Sequence, residues 1–422
     1  MAKKNQRKEI LVFADWLDIK EPMLMGALYS EIIRGKEIFS FQYTNEWLSS
    51  KYAQIIDPDL QLYTGTQYLD DKKNNFGIFL DSSPDRWGRL LMQRREAALA
   101  RLEKRTEKIL FESDYLLGVF DEHRMGGLRF KKNIDDPFLN DNRKFSTPHW
   151  ASLNELEQAS LNIEKDDITD DPEYLKWLNM LIAPGSSLGG ARPKASITDE
   201  SNNLWIAKFP SLSDEKDIGA WEMVVHDLAA ESGLNVADAM LKKYSTKYHT
   251  FLIRRFDRTN RQKRIHFASA MTMLGYTDGT DFHDGVSYLE LADFLIKNGA
   301  NVNQDLQELW KRIVFSICVT NTDDHLRNHG FILTDRGWTL SPAYDINPVE
   351  NGTGLKLNIS ENDNSLDFDL ALEVIEYFRL NEKKALDIIK HIKSVVSTWR
   401  RVANNYNTSK AEQELMAKAF RI

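Results

Sequence analysis

The sequence has a single cysteine, Cys318, and no apolar run of about 18 residues. One cysteine excludes an internal disulfide and a cysteine-based zinc cluster. Cys318 lies in the apolar segment 313–319, which favours a small buried side chain over a reactive thiol. The missing apolar run argues against a membrane span. The charged first residues are not followed by a signal-like segment, so we expect a cytoplasmic protein.

The sequence also has fewer basic than acidic residues. The 55 Lys and Arg residues face 63 Asp and Glu residues, for a formal charge of −8. That balance disfavours nucleic-acid binding through bulk charge but leaves room for a local basic patch. The chain is 42% hydrophobic and 11% aromatic, which is enough for packed cores. Its 422 residues predict two or three domains or lobes.

The first part of the chain has a β-rich pattern. Short apolar or alternating segments predict strands at 9–14 and 38–43. Ser83 followed by Pro84 predicts the start of a charged helix that runs to Lys108. Acidic residues alternate with the basic ones along this helix, so a solvated face is favoured over a phosphate-binding one. Residues 131–150 are polar and form a plausible linker.

The later pattern changes from strands to helices. A glycine loop at 184–193 leads into strands 194–198 and 204–209, and a third strand is predicted at 250–256. The helix between them carries Trp221, Val224 and Val225 at helical spacing and ends near Gly233, a typical C-cap glycine. Further helices are predicted at 288–298, 304–320, 368–380, 382–404 and 410–420. A β-rich half followed by a helical half predicts two lobes.

Two carboxylates and an amide stand close together in the sequence 321–345. Asp323 precedes Asn328 by five residues, the interval found in the catalytic loop of protein kinases, and Asp345 follows a predicted hairpin at 331–340. Phosphoryl transfer needs one carboxylate to orient the attacking hydroxyl, and an amide and a second carboxylate to hold metal. Asp324 is adjacent to Asp323 and is assigned a supporting role, such as capping the loop.

The ligand atoms of the candidate residues indicate which metal ion they would bind. Asn328 and Asp345 offer hard oxygen ligands, which suit Mg²⁺. His325 and His329 are four residues apart in a loop and lack the glutamate of a zincin helix. Metal ligation by these histidines is therefore disfavoured.

A phosphate cradle is predicted upstream, in Pro184–Lys194. Its glycines would let backbone amides approach phosphate oxygens. The Walker A spacing fails because Ala191 stands where the lysine belongs, and no Rossmann pattern is present, so an ordinary connecting turn is the alternative. Lys208 follows in a strand, where kinases place the phosphate-binding lysine, and Glu222 could pair with it. A solvent-facing lysine and a surface glutamate are the alternatives.

Four segments in this order resemble the HipA family, the serine/threonine-protein kinase toxins of bacterial type II toxin–antitoxin systems. They are 187–194, 253–258, 321–328 and 341–345, and the segment 79–89 resembles the N-terminal subdomain of that family. The resemblance covers nearly the whole chain. It implies an α+β, two-lobed protein-kinase-like fold with a β-rich N-terminal half and an all-helical C-terminal lobe. The segments expected are 1–145, 146–257 and 258–422.

The resemblance also implies residue roles. Asp323 would be the catalytic aspartate, Asn328 and Asp345 the Mg²⁺ ligands, and Lys208 the ATP-phosphate lysine. The remaining ATP-binding residues would be those of the loop, the hinge and the nucleotide pocket: Gly189, Gly190, Ala191, Arg192, Pro193, Lys194, Arg254, Arg255, Phe256, His325 and Tyr344. Arg254 departs from the glutamate that other members often carry in the hinge, although backbone contacts to adenine could survive this change.

Ser187 matches the serine that family members autophosphorylate, and Ser186 is a second candidate. A phosphate there adds roughly two negative charges to a loop meant to hold ATP phosphates. Repulsion should then eject or reorganise the loop and switch the enzyme off. The chain has no His-Arg before Asp323 and no Phe-Gly after Asp345, so activation-loop control of the eukaryotic kind is not expected.

Three functional hypotheses remain open on the sequence. The first is an ATP- and Mg²⁺-dependent protein serine kinase toxin. Its implied partner is a HipB-like helix-turn-helix antitoxin, with operator DNA reached mainly through that antitoxin. Its implied target is an aminoacyl-tRNA synthetase or another translation protein. The second is a small-molecule phosphotransferase of the aminoglycoside-kinase type, which shares the Asp-to-Asn interval. The third is a non-catalytic corepressor partner that has kept the fold.

Overall fold

The computed structural model describes residues 7–16, 18–70, 72–142, 149–165, 173–182, 190 and 192–422. The chain forms two compact units. The first unit comprises Met1–Ala207 with Asp257–Ala268, and the second comprises Lys208–Phe256 with Ser269–Ile422. Each unit is therefore built from two separate stretches of sequence. The expected division into an N-terminal subdomain at 1–145, an N-lobe with the glycine loop and hinge at 146–257, and a helical C-lobe at 258–422 stays a prediction.

A five-stranded antiparallel sheet forms much of the first unit. Its order is β4-β3-β2-β1-β5, with β1 Lys8–Ala14, β2 Met23–Ile33, β3 Lys36–Tyr43, β4 Thr66–Tyr68 and β5 Leu128–Lys131. Leu28 pairs with Phe41 across β2 and β3, and both side chains are fully buried. The predicted strands at 9–14 and 38–43 are β1 and β3. The sequence analysis did not single out β2, which lies between them.

The other elements of the first unit surround this sheet or follow it in sequence. They are α1 Asn45–Leu48, α2 Gly77–Asp81, α3 Arg86–Leu102, α4 Glu112–Gly118, α5 Leu153–Glu164, α6 Tyr174–Ile182, β6 Lys194–Thr198 and β7 Leu204–Lys208. Strands β6 and β7 are hydrogen-bonded neighbours joined by the predicted turn at 199–203. The last residue of β7, Lys208, already belongs to the second unit.

The predicted ends of helix α3 were wrong at both sides. The N-cap is Asp85, whose side chain accepts from the Gly88 amide, while the Ser83 hydroxyl donates to the Phe79 carbonyl instead. Pro84 therefore precedes the cap and is not the first helical residue. The helix stops at Leu102, six residues early, because Lys104 adopts a left-handed φ of 52° that ends the helical hydrogen-bond pattern.

The second unit is mainly helical. Its elements are α7 Ile218–Glu231, β8 Ala239–Lys242, β9 Thr250–Arg254, β10 Phe267–Ser269 (which begins in the first unit), α8 Ala270–Met273, α9 Tyr288–Asn298, α10 Val302–Val319, β11 Gly330–Thr334, β12 Gly337–Leu340, α11 Phe368–Glu373, α12 Glu382–Val396, α13 Trp399–Asn405 and α14 Lys410–Met416. Helix α10 is almost wholly buried from Leu309 onward. The Trp399 and Phe420 rings stack at 4.4 Å, which fixes the C-terminal segment against this core.

The α+β kinase-like architecture is confirmed, with sheets in the N-terminal half and helices towards the C-terminus. The predicted hairpin is present as β11 and β12, so the C-terminal part contains this pair of strands among its helices. The single helix predicted at 382–404 is two helices, and the one predicted at 368–380 ends at Glu373. No helix in the described ranges is both long and apolar enough to cross a membrane.

Candidate active site

The segment that carries Asp323 and Asn328 begins where helix α10 ends. Thr320 caps the helix with a left-handed φ of 52°, which turns the chain out of the helical path. The Asn321 amide then donates to the Ser316 carbonyl at 2.9 Å. The beginning of the loop is therefore hydrogen-bonded to the end of a buried helix, which fixes the backbone from which the side chains of the loop project.

Asp323 and Asp324 have opposite environments. The Asp323 side chain is exposed, and its carboxylate makes no hydrogen bond or ion pair with the described residues. Its backbone carbonyl instead accepts from the His325 amide at 3.0 Å and from Asn328 Nδ2 at 2.9 Å. Asp324 is buried and fully engaged. Of the two, only Asp323 offers a free carboxylate to an incoming hydroxyl group, as the sequence analysis expected.

The buried Asp324 side chain attaches the loop to neighbouring residues. It accepts a hydrogen bond from the Tyr288 hydroxyl, and His329 Nε2 lies 3.0 Å from its other oxygen. Burial alone would raise the pKa of Asp324, but His329 and the Tyr288 hydrogen bond lower it below its usual value. Burial and the adjacent Asp324 charge raise the pKa of Tyr288 well above its usual value. A charged carboxylate therefore joins helix α9 to the loop.

Asn328 and Asp345 are the candidate Mg²⁺ ligands, and each offers a side-chain oxygen. The Asn328 amide nitrogen is used by the Asp323 carbonyl, and its Oδ1 makes no hydrogen bond within the described ranges. The Asp345 side chain accepts from Asn347 Nδ2 at 3.1 Å, and the Asn347 backbone amide donates to Asn321 Oδ1 at 3.2 Å. An amide oxygen and a carboxylate are the kinds of ligand that Mg²⁺ prefers, so ligation by Asn328 and Asp345 stays a prediction.

Asp345 adopts an uncommon backbone conformation. Its φ is 57°, in the left-handed region that Asp and Asn tolerate better than most residues. The preceding residue, Tyr344, donates its hydroxyl to the Arg327 carbonyl at 2.8 Å. This bond joins the segment after the hairpin to the residue that precedes Asn328.

Lys208 lies between two carboxylates. Its Nζ is 2.5 Å from Glu222 Oε1 and 2.6 Å from Asp345 Oδ1. The lysine is 8% exposed and Glu222 is 4% exposed. Both alternatives left open by the sequence, a solvent-facing lysine and a surface glutamate, are therefore wrong. Every residue of β7 is buried, so the alternating pattern of that strand did not mark a solvent face.

Electrostatics keep Lys208 charged. Burial would lower its pKa, but the carboxylates of Asp345 and Glu222 more than offset that effect and raise the pKa above its usual value. Glu222 is presented by helix α7, whose N-cap Asp217 accepts from the Ala220 amide. The Asp217 carboxylate also lies 2.5 Å from His249 Nδ1 and accepts from the His249 amide at 3.0 Å. Asp217 thereby fixes the helix that positions Glu222.

The predicted hinge and nucleotide-pocket residues are partly brought together. The Phe256 and Tyr344 rings lie 5.6 Å apart at 34°, as a pair that could cover a flat ligand. The Arg254 amide donates to the Asp238 carbonyl, and its guanidinium lies 3.3 Å from the Asp238 carboxylate. That amide is therefore already used, and any backbone contact to adenine would have to come from another group of the hinge. His325 Nδ1 is buried without a hydrogen-bond partner.

The end of the glycine loop is anchored within the first unit. Lys194 Nζ lies 2.7 Å from Asp85 Oδ2 and donates to the Gly190 carbonyl at 2.7 Å, and both charged side chains are almost completely buried. Its carbonyl accepts from Trp87 Nε1 at 3.1 Å. Lys194 therefore holds the loop to the start of α3. Arg192 is partly exposed and Pro193 is buried. Ser186, Ser187, Gly189 and Ala191 lie outside the described residues.

Several contributing residues were missed by the sequence analysis. Asp85, Tyr288 and Asn347 contact Lys194, Asp324 and Asp345, and Asp217 caps the helix that carries Glu222. Some of these contacts join residues as far as 109 positions apart. Only Asp217, a cap-type residue before an apolar periodic helix, carried a usable local signal. Among the described residues, no group of three or more His, Cys, Asp and Glu side chains could hold a metal ion. Cys318 is buried, and burial raises the pKa of its thiol to about 12, as expected for an unreactive cysteine.

Comparison with known proteins adds three findings. A family model described as the HipA-like C-terminal domain matches residues 186–399, about half of the chain. A Haemophilus influenzae protein named as a candidate kinase is 28% identical over 179 residues, which are 38% of this chain and 52% of that protein. The serine/threonine-protein kinase toxin HipA of Shewanella oneidensis is 28% identical over 149 residues, which are 31% of this chain and 34% of that toxin.

A fourth finding concerns the fold. A chain in the complex of HipA, HipB and operator DNA from Shewanella oneidensis superposes with a TM-score of 0.64 and 18% identity. The match covers 97% of the present chain and 94% of that chain. The two sequence matches span about half and about a third of the curated relatives. The likeness of fold extends over nearly the whole chain.

Proposed function

The chain belongs to the HipA family of kinases, and from this we propose that it is an ATP- and Mg²⁺-dependent protein serine/threonine kinase, the toxin of a toxin–antitoxin pair. The family match includes every candidate catalytic residue from Lys208 to Asp345. The observation that carries the proposal is the Lys208 ammonium between Glu222 and Asp345, in the same unit as the free carboxylate of Asp323. This combination is the minimum that phosphoryl transfer requires of a kinase.

Each residue has a defined part in the proposed reaction. Asp323 accepts or orients the proton of the attacking hydroxyl, because its carboxylate is exposed and unengaged. Asn328 and Asp345 would hold Mg²⁺, which when bound neutralises developing phosphate charge. Lys208 presents a positive charge to the nucleotide phosphates, and Glu222 keeps the lysine extended. Gly189, Gly190, Ala191, Arg192, Pro193 and Lys194 are proposed to contribute the nucleotide loop, and Arg254, Arg255, Phe256, His325 and Tyr344 to contact the rest of ATP.

Ser187 is the proposed site of autophosphorylation and self-inactivation. The support is its place in the motif 187–194 and the anchored end of that loop at Gly190 and Lys194. A phosphate on Ser187 would repel the phosphates of ATP. The proposed partner is a HipB-like antitoxin, since the structural relative is part of a complex with HipB and operator DNA. Operator DNA would be contacted mainly through that antitoxin. An aminoacyl-tRNA synthetase or another translation protein is the proposed substrate, in the cytoplasm.

Incubation of the purified chain with Mg-ATP, followed by intact-mass measurement and phosphosite mapping, tests this proposal. We expect one added phosphate on Ser187 in the wild type and none in Asp323→Asn. A phosphate on Ser186 instead would correct the assignment of the site. Nucleotide binding with no phosphate gained would contradict self-phosphorylation and favour the corepressor hypothesis. Transfer to an aminoglycoside with no protein phosphorylation would favour the small-molecule kinase.

A further inference from the structure

The first unit contains a cleft whose lining includes none of the residues proposed to act in phosphoryl transfer. Its volume is about 560 Å³. Its lining comes from the residues that follow β1, from Glu122, from β5, from the facing ends of β6 and β7 with the turn between them, and from the segment 258–264. Six cationic side chains line it: Lys20, Arg129, Arg258, Arg261, Lys263 and Arg264. Only two acidic side chains, Asp15 and Glu122, share the lining. We refer to this cleft as the basic pocket; it is unusual in a chain with a net charge of −8.

The inner wall of the basic pocket is rigid. Arg129 Nη1 lies 3.1 Å from Asp15 Oδ2, and Arg129 also pairs with Asp121. Arg264 donates to the Asp121 carbonyl at 2.6 Å and lies 3.3 Å from its carboxylate. Arg258 pairs with the fully buried Asp257 at 2.6 Å. These guanidinium groups are positioned in advance, which lowers the entropy cost of binding an anion.

Buried arginines lie in and behind this wall. Burial lowers the pKa of Arg264, and the neighbouring Arg129 lowers it further against the opposing effect of Asp121. Burial likewise lowers the pKa of the enclosed Arg124 to about 9, and Arg264 and Arg129 add to that shift. Burial is the main cause of both shifts, so a bound anion close to these arginines would favour their charged form.

Three further cationic side chains lie at the rim of the pocket. Lys20, Arg261 and Lys263 are exposed. Across the described residues, none of their side chains makes an ion pair or a hydrogen bond. Arg261 and Lys263 stand on a tight turn in which the Thr259 amide donates to the Lys263 carbonyl at 2.9 Å and Gln262 adopts a left-handed φ of 62°. The turn therefore presents two unpaired charges at the mouth of a prearranged cationic wall.

We propose that the basic pocket is a binding site for a small ligand carrying two or more phosphate charges. Arginine favours phosphate because its planar fork matches two phosphate oxygens at once. Several cations converge on one cleft, which suits a multiply charged group better than a single carboxylate. The volume of the cleft lies within the usual range for small-molecule sites. A nucleic acid is less suitable, because its backbone needs cations spread along a face.

Calorimetric titration of the full chain with inorganic pyrophosphate, without divalent metal and at constant ionic strength, tests the site. We expect binding by the wild type, tighter for pyrophosphate than for orthophosphate. The variant Arg261→Glu/Lys263→Glu should lose at least about tenfold in affinity. The matched control Lys72→Glu/Lys132→Glu makes the same change of charge at exposed lysines of the same unit, outside the pocket, and should bind like the wild type.

Three outcomes would overturn the proposal. One is no pyrophosphate binding by the wild type at millimolar concentration. A second is equal loss in both charge-reversal variants, which would indicate a bulk charge effect. The third is tight, salt-dependent binding of a DNA duplex that is abolished by Arg261→Glu/Lys263→Glu and displaces pyrophosphate, which would make the pocket part of a nucleic-acid surface. If the charge-reversal variant unfolds, Arg261→Gln/Lys263→Gln should still weaken pyrophosphate binding.

Discussion

Lys208 shows how a single residue combines stability and function. Its ammonium group neutralises Glu222 and Asp345 together at 2.5 and 2.6 Å, in a place where water has little access. Each carboxylate would be costly to bury alone. The lysine that is proposed to bind phosphate thus also allows the proposed metal ligand Asp345 to sit beside a buried glutamate.

Replacement of Lys208 by alanine should therefore destabilise the protein as well as abolish phosphoryl transfer. We expect Lys208→Ala to lower the free energy of unfolding by about 3–5 kcal/mol, because it leaves two carboxylates without a counter-charge. Adding Glu222→Gln should restore part of that loss by removing one of the two charges. Urea unfolding at neutral pH measures both effects. A Lys208→Ala protein as stable as the wild type would contradict the charge balance described here.

Individual residues also show which parts of the candidate site could be predicted from the sequence. The interval from Asp323 to Asn328 identified the catalytic candidates, and Asp323 is indeed the exposed carboxylate of the two adjacent aspartates. The environment of Lys208 could not be decided from alternation, because β7 is covered on both faces. The burial of Lys194 against Asp85 could not be seen either, since the two residues are 109 positions apart.

Helix α7 shows, at the element scale, how a cap positions a site. Asp217 caps the helix and contacts His249, and the helix carries Glu222 to Lys208. Burial would raise the pKa of Asp217, but the His249 contacts and the cap hydrogen bond lower it below 3.8. Its charge therefore contributes stability that is fully present above pH 3.8 and is lost as the pH falls through the lowered folded-state pKa.

Two substitutions separate the cap from the charge. Asp217→Ala should cost about 1–2 kcal/mol of unfolding free energy at neutral pH because the cap acceptor is lost. Asp217→Asn keeps an acceptor and loses only the charge, so its deficit relative to the wild type should shrink as the pH falls below 3.8. Denaturant unfolding across that pH range measures the difference. A deficit that is constant with pH would contradict the assigned role of the Asp217 charge.

The loop that carries Asp323 and Asp324 offers a second prediction for an element. Tyr288→Phe removes the hydroxyl that reaches the buried Asp324 and should lower the unfolding free energy by about 1–3 kcal/mol. Because the loop then loses its support from α9, phosphoryl transfer should fall too. Tyr276→Phe is the matched control: its hydroxyl donates to Glu290 at a partly exposed position, so both losses should be smaller. Equal effects of the two substitutions would argue against a special role for Asp324.

Element boundaries show where local sequence signals were insufficient. Helix α9 begins and ends at the predicted residues, because a capping box at Ser287 and Glu290 marks its start. The helix predicted at 382–404 is interrupted after Val396. There the Ser397 hydroxyl donates to the Ser394 carbonyl and the Thr398 hydroxyl to the Val395 carbonyl, so side chains compete for the helical acceptors.

The whole molecule combines two units whose charged clusters differ in kind. The second unit holds the kinase candidates around Lys208, and the first holds the basic pocket. The net charge of −8 gave no sign of that pocket, because its cations come from three separate stretches of the chain: Lys20 after β1, Arg129 in β5, and the segment 258–264. The α+β kinase-like fold was predictable from ordered motifs, but clusters assembled from distant segments were not.

The role of Asp323 in phosphoryl transfer can be tested by measuring both Mg-ATP affinity and phosphoryl transfer in Asp323→Asn. If Asp323 acts on the attacking hydroxyl, transfer should fall by about 10²–10⁴-fold while the affinity for Mg-ATP is unchanged. Asp335→Asn, the same chemical change at the exposed hairpin turn, should alter neither quantity. Phosphoryl transfer by Asp323→Asn at the wild-type rate, or a parallel loss of Mg-ATP affinity, would contradict a role of Asp323 in acting on the attacking hydroxyl.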